Sequence, residues 1–264
     1  MKQIVKTLLV AGVALGSTMS ADAQTLKDWV NKANTVVNGG SGNNNSGNGN
    51  NNNNGSGGSL NNISNNEIVT ALRQALEIGT KNAAGKLNIT NGFFGNQIIK
   101  VLMPPEARQI ESTLRSLGMG AQVDKAILSM NRAAEDAAGK AVPIFVNAIT
   151  SMSIQDGVGI VRGGQGAATN YLKGRTTAAL TSEFRPVIQN SLNKVGATRY
   201  WADIVNIYNR LPTVRNKVNP DLTGYVTERA LNGLFVTIAD EENKIRLNPA
   251  SRVTDLLKKV FGSN

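Results

Sequence analysis

The sequence predicts an all-α fold: a multi-helix bundle with proline-kinked long helices, preceded by a signal peptide and a disordered Asn/Gly-rich tether. Three observations carry this. Beyond position 66, apolar residues recur three and four apart in one segment after another, which is helical spacing. No stretch alternates with period two, and no tandem repeat interrupts the pattern. Ser, Thr, Asp, Pro and Gly stand where helices should begin and end.

In chain order, the first residues, MKQIVKTLLVAGVALGSTMSADAQ, match an export leader spanning 1–23. Lys2 and Lys6 supply the positive end, Leu8 to Leu15 the apolar run, and Ala21-Asp22-Ala23 the small-x-small cleavage pattern. The run is too short for a membrane span, which needs about 20 apolar residues. Localisation is then predicted to be periplasmic, with the cell surface and the medium left open.

Residues 24–37 follow as a short amphipathic helix, with Leu26, Trp29, Val30, Ala33 and Val37 at helical spacing. It reads either as an anchor for a membrane or partner, or as a helix docking back on its own domain. The Asn/Gly/Ser tract 38–65 has too little apolar surface to fold and is expected to be a flexible tether. Its reach is roughly 30 Å.

The helical domain spans 66–264. Ser64 and Glu67 form a capping box ahead of Ile68, Leu72, Ala75, Leu76 and Gly79. NITNGFFGN reads as a loop and QIIKVLMPPEA as extended chain, until Pro104-Pro105 opens a helix that stops at Gly118. A third helix carries Val123, Ala126, Ile127, Met130, Ala134, Ala137, Ala138 and Ala141. Its alanines imply close approach of a neighbour, and Pro143 should kink or split it. Ser153-x-x-Asp156 starts a short helix. A long one follows from Ala167 to Val195, with Leu172, Thr176, Leu180, Phe184, Val187 and Ser191 on its stripe and a kink at Pro186. Thr198 is expected to cap the next helix, turning Tyr200, Trp201, Ile204, Ile207, Tyr208 and Leu211 inward. Asp221 opens the last long helix, and Thr254-Asp255 begins a closing turn.

The composition removes whole classes of chemistry. With 0 His and 0 Cys in 264 residues, Ser-His and Cys-His catalysis, histidine zinc sites, Glu-x-x-His di-iron centres and disulfides are unavailable. No D-x-[DN]-x-[DN]-G calcium loop is present, so no metal and no cofactor is expected. VRGGQGAATNY resembles a phosphate loop only faintly, lacking the GK[ST] ending and a preceding strand. The net charge is +10, and it falls by one on loss of the leader's Lys2, Lys6 and Asp22. That charge suits anionic lipid headgroups, cell-wall polymers or an envelope protein as partners. Nucleic acid is not expected, because the basic residues are scattered and aromatics make up 5%.

Several segments together resemble a known family. They are GFFGNQIIKVLMP, GMGAQVDKAILSMNRAAEDA, PIFVNAITSMSIQDG, TTAALTSEFRPVIQNSL, GATRYW, YVTERALNGLFVTIADEENKIRLNPASR and TDLLKKVFG. In order and spacing they are similar to the bacterial domain of unknown function numbered 4197, over about residues 66–262. The resemblance implies an exported protein with a helical body. It implies no activity and no catalytic residue.

Candidate site residues come from angular placement. In LFVTIADEENKIR, Glu242 falls about 20° from Leu231, in the centre of the apolar face, while Glu241 lies on its shoulder. A lone charge there costs several kcal/mol, so Glu242 needs a partner, a raised pKa or a wet cavity. In SMNRAAEDA, Asn131 and Glu135 stack about 40° and 80° from Ile127, either lining a cleft or bonding a neighbouring backbone. Arg132 and Asp136 read as a solvated pair. In KGRTTAALTSEFRP, Thr176 lies on the stripe, where its hydroxyl can bond the preceding turn. Arg175 offers a grip for phosphate or carboxylate, or a bridge between helices. Glu183 sits on the flank, within reach of an arginine from another helix. Asn131, Glu135, Arg175, Thr176, Glu183 and Glu242 are therefore the ligand-binding candidates, and Glu242 and Glu135 the catalytic ones.

Three functional classes remain. The favoured one is a non-enzymatic envelope module that binds an apolar, lipid-like or amphipathic ligand, or a protein partner, between its helices. The alternative is a cell-wall glycan-cleaving enzyme using Glu242 or Glu135 as a single acid/base. A structural surface module displayed on the tether is a third possibility.

Overall fold

Ser64 opens the first helix as the capping box requires: its hydroxyl accepts from the Glu67 amide, and the Glu67 carboxylate accepts from the Ser64 amide. The structure, a computed structural model, describes residues 64–212, 214, 216–248, 252, 254, 255, 258 and 260. The predicted leader, the 24–37 helix and nearly all of the tether lie outside the described residues.

The described residues contain eight α-helices and no strand. They are α1 (Asn65–Leu87), α2 (Arg108–Ser116, entered by a 3-10 turn at Pro105–Ala107), α3 (Gly120–Ala138), α4 (Ala141–Thr150), α5 (Ile154–Arg162), α6 (Ala167–Lys194), α7 (Ala197–Tyr208) and α8 (Leu222–Leu247). The two longest late helices form the centre. α6 packs on α3, α4 and α8, and α8 packs on α1, α3 and α6. α1 also meets α4 and α5.

Small residues permit the closest crossings. Ala133, Ala134, Ala137 and Ala138 of α3 are fully buried, as their density in the sequence implies. Larger side chains fill the remaining space, with Phe145 and Phe235 meeting edge to face at 6.2 Å. Each such apolar side chain contributes about 1.5–3 kcal/mol when fully buried. Pro143 splits the predicted third helix: α3 ends at Ala138, and Pro143 falls in the first turn of α4, where its missing N–H costs nothing. α6 runs through Pro186.

Three sequence expectations are corrected. The stripe on α6 ends on Ile188 and Leu192 rather than Val187 and Ser191. Its buried residues step by four throughout, so the row winds around the helix and meets successive neighbours. Thr198 does not cap α7. Gly196, in the left-handed region at φ 69°, begins it, and the Thr198 hydroxyl bonds the Asn193 side chain instead. Finally, only Trp201 of the six apolar residues expected to face inward from α7 is buried, with Tyr208 half-buried. Tyr200, Ile204, Ile207 and Leu211 are exposed. The six residues cover two adjoining faces, and the bundle covers one.

Candidate functional site

α6 begins without a cap of its own. Gly166 at its N-cap has φ 78° and no side chain to accept from the first amides. Unpaired amides at a buried helix start are costly, and Glu242 of α8 supplies what is missing. Its carboxylate accepts from the Ala168 amide at 3.2 Å, the Thr169 amide at 2.9 Å and the Thr169 hydroxyl at 2.7 Å. Arg246, one turn along α8, donates from Nε to the same carboxylate at 2.9 Å. Its Nη2 donates to the Ile160 carbonyl at 2.9 Å, in the last turn of α5. Burial alone would push the Glu242 carboxyl up. The Thr169 hydroxyl and amide, Arg246 and the Ala168 amide outweigh it and hold the pKa below the ordinary glutamate value.

This geometry also settles the glycine-rich turn between α5 and α6. In VRGGQGAATNY the anion-accepting helix start is filled by the protein's own carboxylate, so a phosphate has no place there.

Glu241, beside it, is buried as well. It takes ion pairs from Lys86 of α1 and Lys244, the latter at 2.8 Å. Burial pushes its carboxyl up, but the two ammonium groups hold it below the ordinary value.

Asn131 and Glu135 serve the long connection between α1 and α2. Asn131, fully buried, accepts from the Val101 amide at 2.9 Å and donates to the Val101 carbonyl at 2.8 Å and the Ile127 carbonyl at 2.7 Å. It therefore pairs with Val101 as a neighbouring strand would. Glu135 accepts from the amides of Phe93 and Phe94, each at 3.1 Å. Arg132 pairs with Glu135 and donates to the Asn91 side chain at 2.9 Å. The expected Arg132–Asp136 pair does not form, because Asp136 accepts instead from the Ser191 hydroxyl at 2.7 Å.

The candidates on α6 are separate again. The Thr176 hydroxyl donates to the Leu172 carbonyl at 2.7 Å. Arg175 is exposed, 3.9 Å from the Asp156 carboxylate of α5 and beside the Tyr171 ring. Glu183 is exposed, and no described residue forms an ion pair with it. Of these candidates, the Glu242 carboxylate borders a cavity. That cavity holds about 20 Å³ and is lined by Leu72, Leu76, Thr80, Ile238, Glu242 and Arg246, among others. Neither Asn131 nor Glu135 reaches it. Among the described residues, no three acidic side chains gather as a metal site would require.

A family model described as a protein of unknown function, DUF4197, matches residues 62–262. The chain belongs to that family. No curated protein and no solved structure matches it. The DUF4197 region therefore contains every side chain described above, and membership assigns a task to none of them.

Reasoning from sequence missed three participants in the DUF4197 bundle. Thr169 and Arg246 complete the Glu242 cluster, and buried Arg252 donates to the Ile245 and Arg246 carbonyls at the end of α8. A signal for the first two was present: a helix start at Gly166 with no capping side chain, and Glu242-x-x-x-Arg246 with salt-bridge spacing.

Proposed function

We propose that this protein is an exported, non-enzymatic envelope module that recognises an apolar or amphipathic ligand or partner at its surface rather than in an internal pocket. Export is supported by the leader pattern at 1–23. Surface recognition is supported by one observation above all: the buried carboxylates are occupied and the space beside them is small. Glu242 is committed to amides and a guanidinium. Glu135 is committed to two amides and Arg132. A cavity of about 20 Å³ has room for about one water, far below the 300 Å³ or more of a ligand pocket.

A catalytic acid needs a proton to give at working pH and an open groove beside it. Glu242 is held ionised by its donors, which supports a structural role. The experiment is incubation of the purified protein with peptidoglycan, followed by analysis of released muropeptides. No release is expected. Release that Glu242→Gln or Glu135→Gln abolishes would overturn this reading in favour of the glycan-cleaving one.

A further inference from the structure

We infer that the outer face of α7 docks on an anionic lipid surface, an assignment that rests on the surface-acting reading above and names the partner. Tyr200, Ile204 and Ile207, with Leu211 beyond the helix end, recur four, three and four apart. The three on the helix therefore fall within an arc of about 60°. Their exposures are 66%, 38%, 67% and 48%, while Trp201 and Val205 on the adjoining face are buried. Scattered exposed apolar residues need no explanation, but an aligned row of three on one helix, with a fourth just past its end, does.

The charges around the stripe identify the partner. Arg199 projects along one edge, about 100° from Tyr200, with Asp203 about 60° from Tyr200 on the same side, and Arg210 follows two residues beyond the helix end. Lys194 and Lys217 stand at the two ends of the segment. All four are exposed, and none is paired with a carboxylate among the described residues. Asp203 is the one acidic residue of α7. A ridge of Ile, Leu and Tyr with arginines at its edge and end is the composition of a helix lying in a membrane interface. α7, with 12 residues, spans about 18 Å, short of the roughly 30 Å hydrocarbon core of a bilayer, so the stripe would lie along the surface.

The test is co-sedimentation of the full chain with vesicles of phosphatidylcholine plus phosphatidylglycerol, and with phosphatidylcholine alone. Sedimentation velocity without lipid accompanies it. Binding is expected to the anionic vesicles and to weaken with salt. It should fall at least about tenfold in Ile204→Ser/Ile207→Asp, and about fivefold for each of Arg199→Ser and Arg210→Ser. Ile207→Leu, which keeps the apolar surface, should bind as the parent does. Failure to bind anionic vesicles, or equal binding by the Ile204→Ser/Ile207→Asp variant, overturns the assignment. So does a dimer that this variant dissolves, though that outcome leaves the surface-acting reading standing. Muropeptide release would defeat that broader reading separately.

Discussion

Glu242 and Arg246, one turn apart on α8, close opposite ends of two other helices. The carboxylate meets the amide end of α6, and the guanidinium meets the carbonyl end of α5. Each charge is favourable toward the helix dipole it faces, and the two neutralise each other at 2.9 Å. Three helices are thereby fixed at one point. Glu242→Ala should cost about 3–5 kcal/mol, because it leaves two amides without their acceptor and the largely buried Arg246 without its counter-charge. Urea unfolding measures this. A cost below about 1 kcal/mol would show the cluster to be dispensable.

The same cluster sets a pH dependence. The folded-state pKa of Glu242 lies below its unfolded value, as does that of Glu241. The stability they contribute is therefore complete above the ordinary glutamate pKa, about 4.3. It is lost as pH falls through the lower folded values. Unfolding midpoints measured between neutral pH and pH about 3 should drop in that acidic range. In Glu242→Gln the acid-induced loss should be smaller, and an unchanged slope would mean that other carboxylates carry it.

Helix starts at Ser64, Ser153 and Asp221 were legible because the cap and its helix are contiguous in sequence, so one short pattern contains both partners. The central position of Glu242 was legible for the same reason, since angles need only one helix. Its partner Arg246 carried a signal in its i,i+4 spacing, but the amides of Ala168 and Thr169 have no residue-type signature. Asn131 and Glu135 follow suit, as both bind loop backbone that a helical wheel does not see. The outward stripe of α7 was misread because apolar spacing shows that a face is oily, not that the fold supplies it with a neighbour.

Asn131 should control the order of the connection between α1 and α2. Asn131→Leu keeps the volume but strands the buried N–H and C=O of Val101, at about 1–3 kcal/mol for each group. Hydrogen exchange at Val101, Phe93 and Phe94 should accelerate more than exchange in α6. Uniform acceleration would indicate global destabilisation instead.

Gly233 and Gly85 make a matched pair with opposite expected signs. A Cβ at Gly233 would lie 2.6 Å from the Phe93 ring and 3.2 Å from the Ile99 Cβ. Gly233→Ala should therefore destabilise by about 1–3 kcal/mol, more than the helix-propensity gain of about 1 kcal/mol. At Gly85 nothing lies within 4 Å, so Gly85→Ala should stabilise by up to about 1 kcal/mol. Thermal unfolding of both variants checks the contrast.

The two faces of α7 should separate in stability as they do in exposure. Ile207→Ser removes an apolar group already in water and should change unfolding free energy by no more than about 0.5 kcal/mol. Val205→Ala, on the covered face with no exposure, should cost about 1–3 kcal/mol, since it opens a cavity beneath the helix. Equal, large costs would mean that the outer stripe is covered by another part of this chain. A neutral Ile207 beside a costly Val205 leaves the exposed row with no role in folding, and selection for a surface contact is then the physical reason to keep four oily side chains in water.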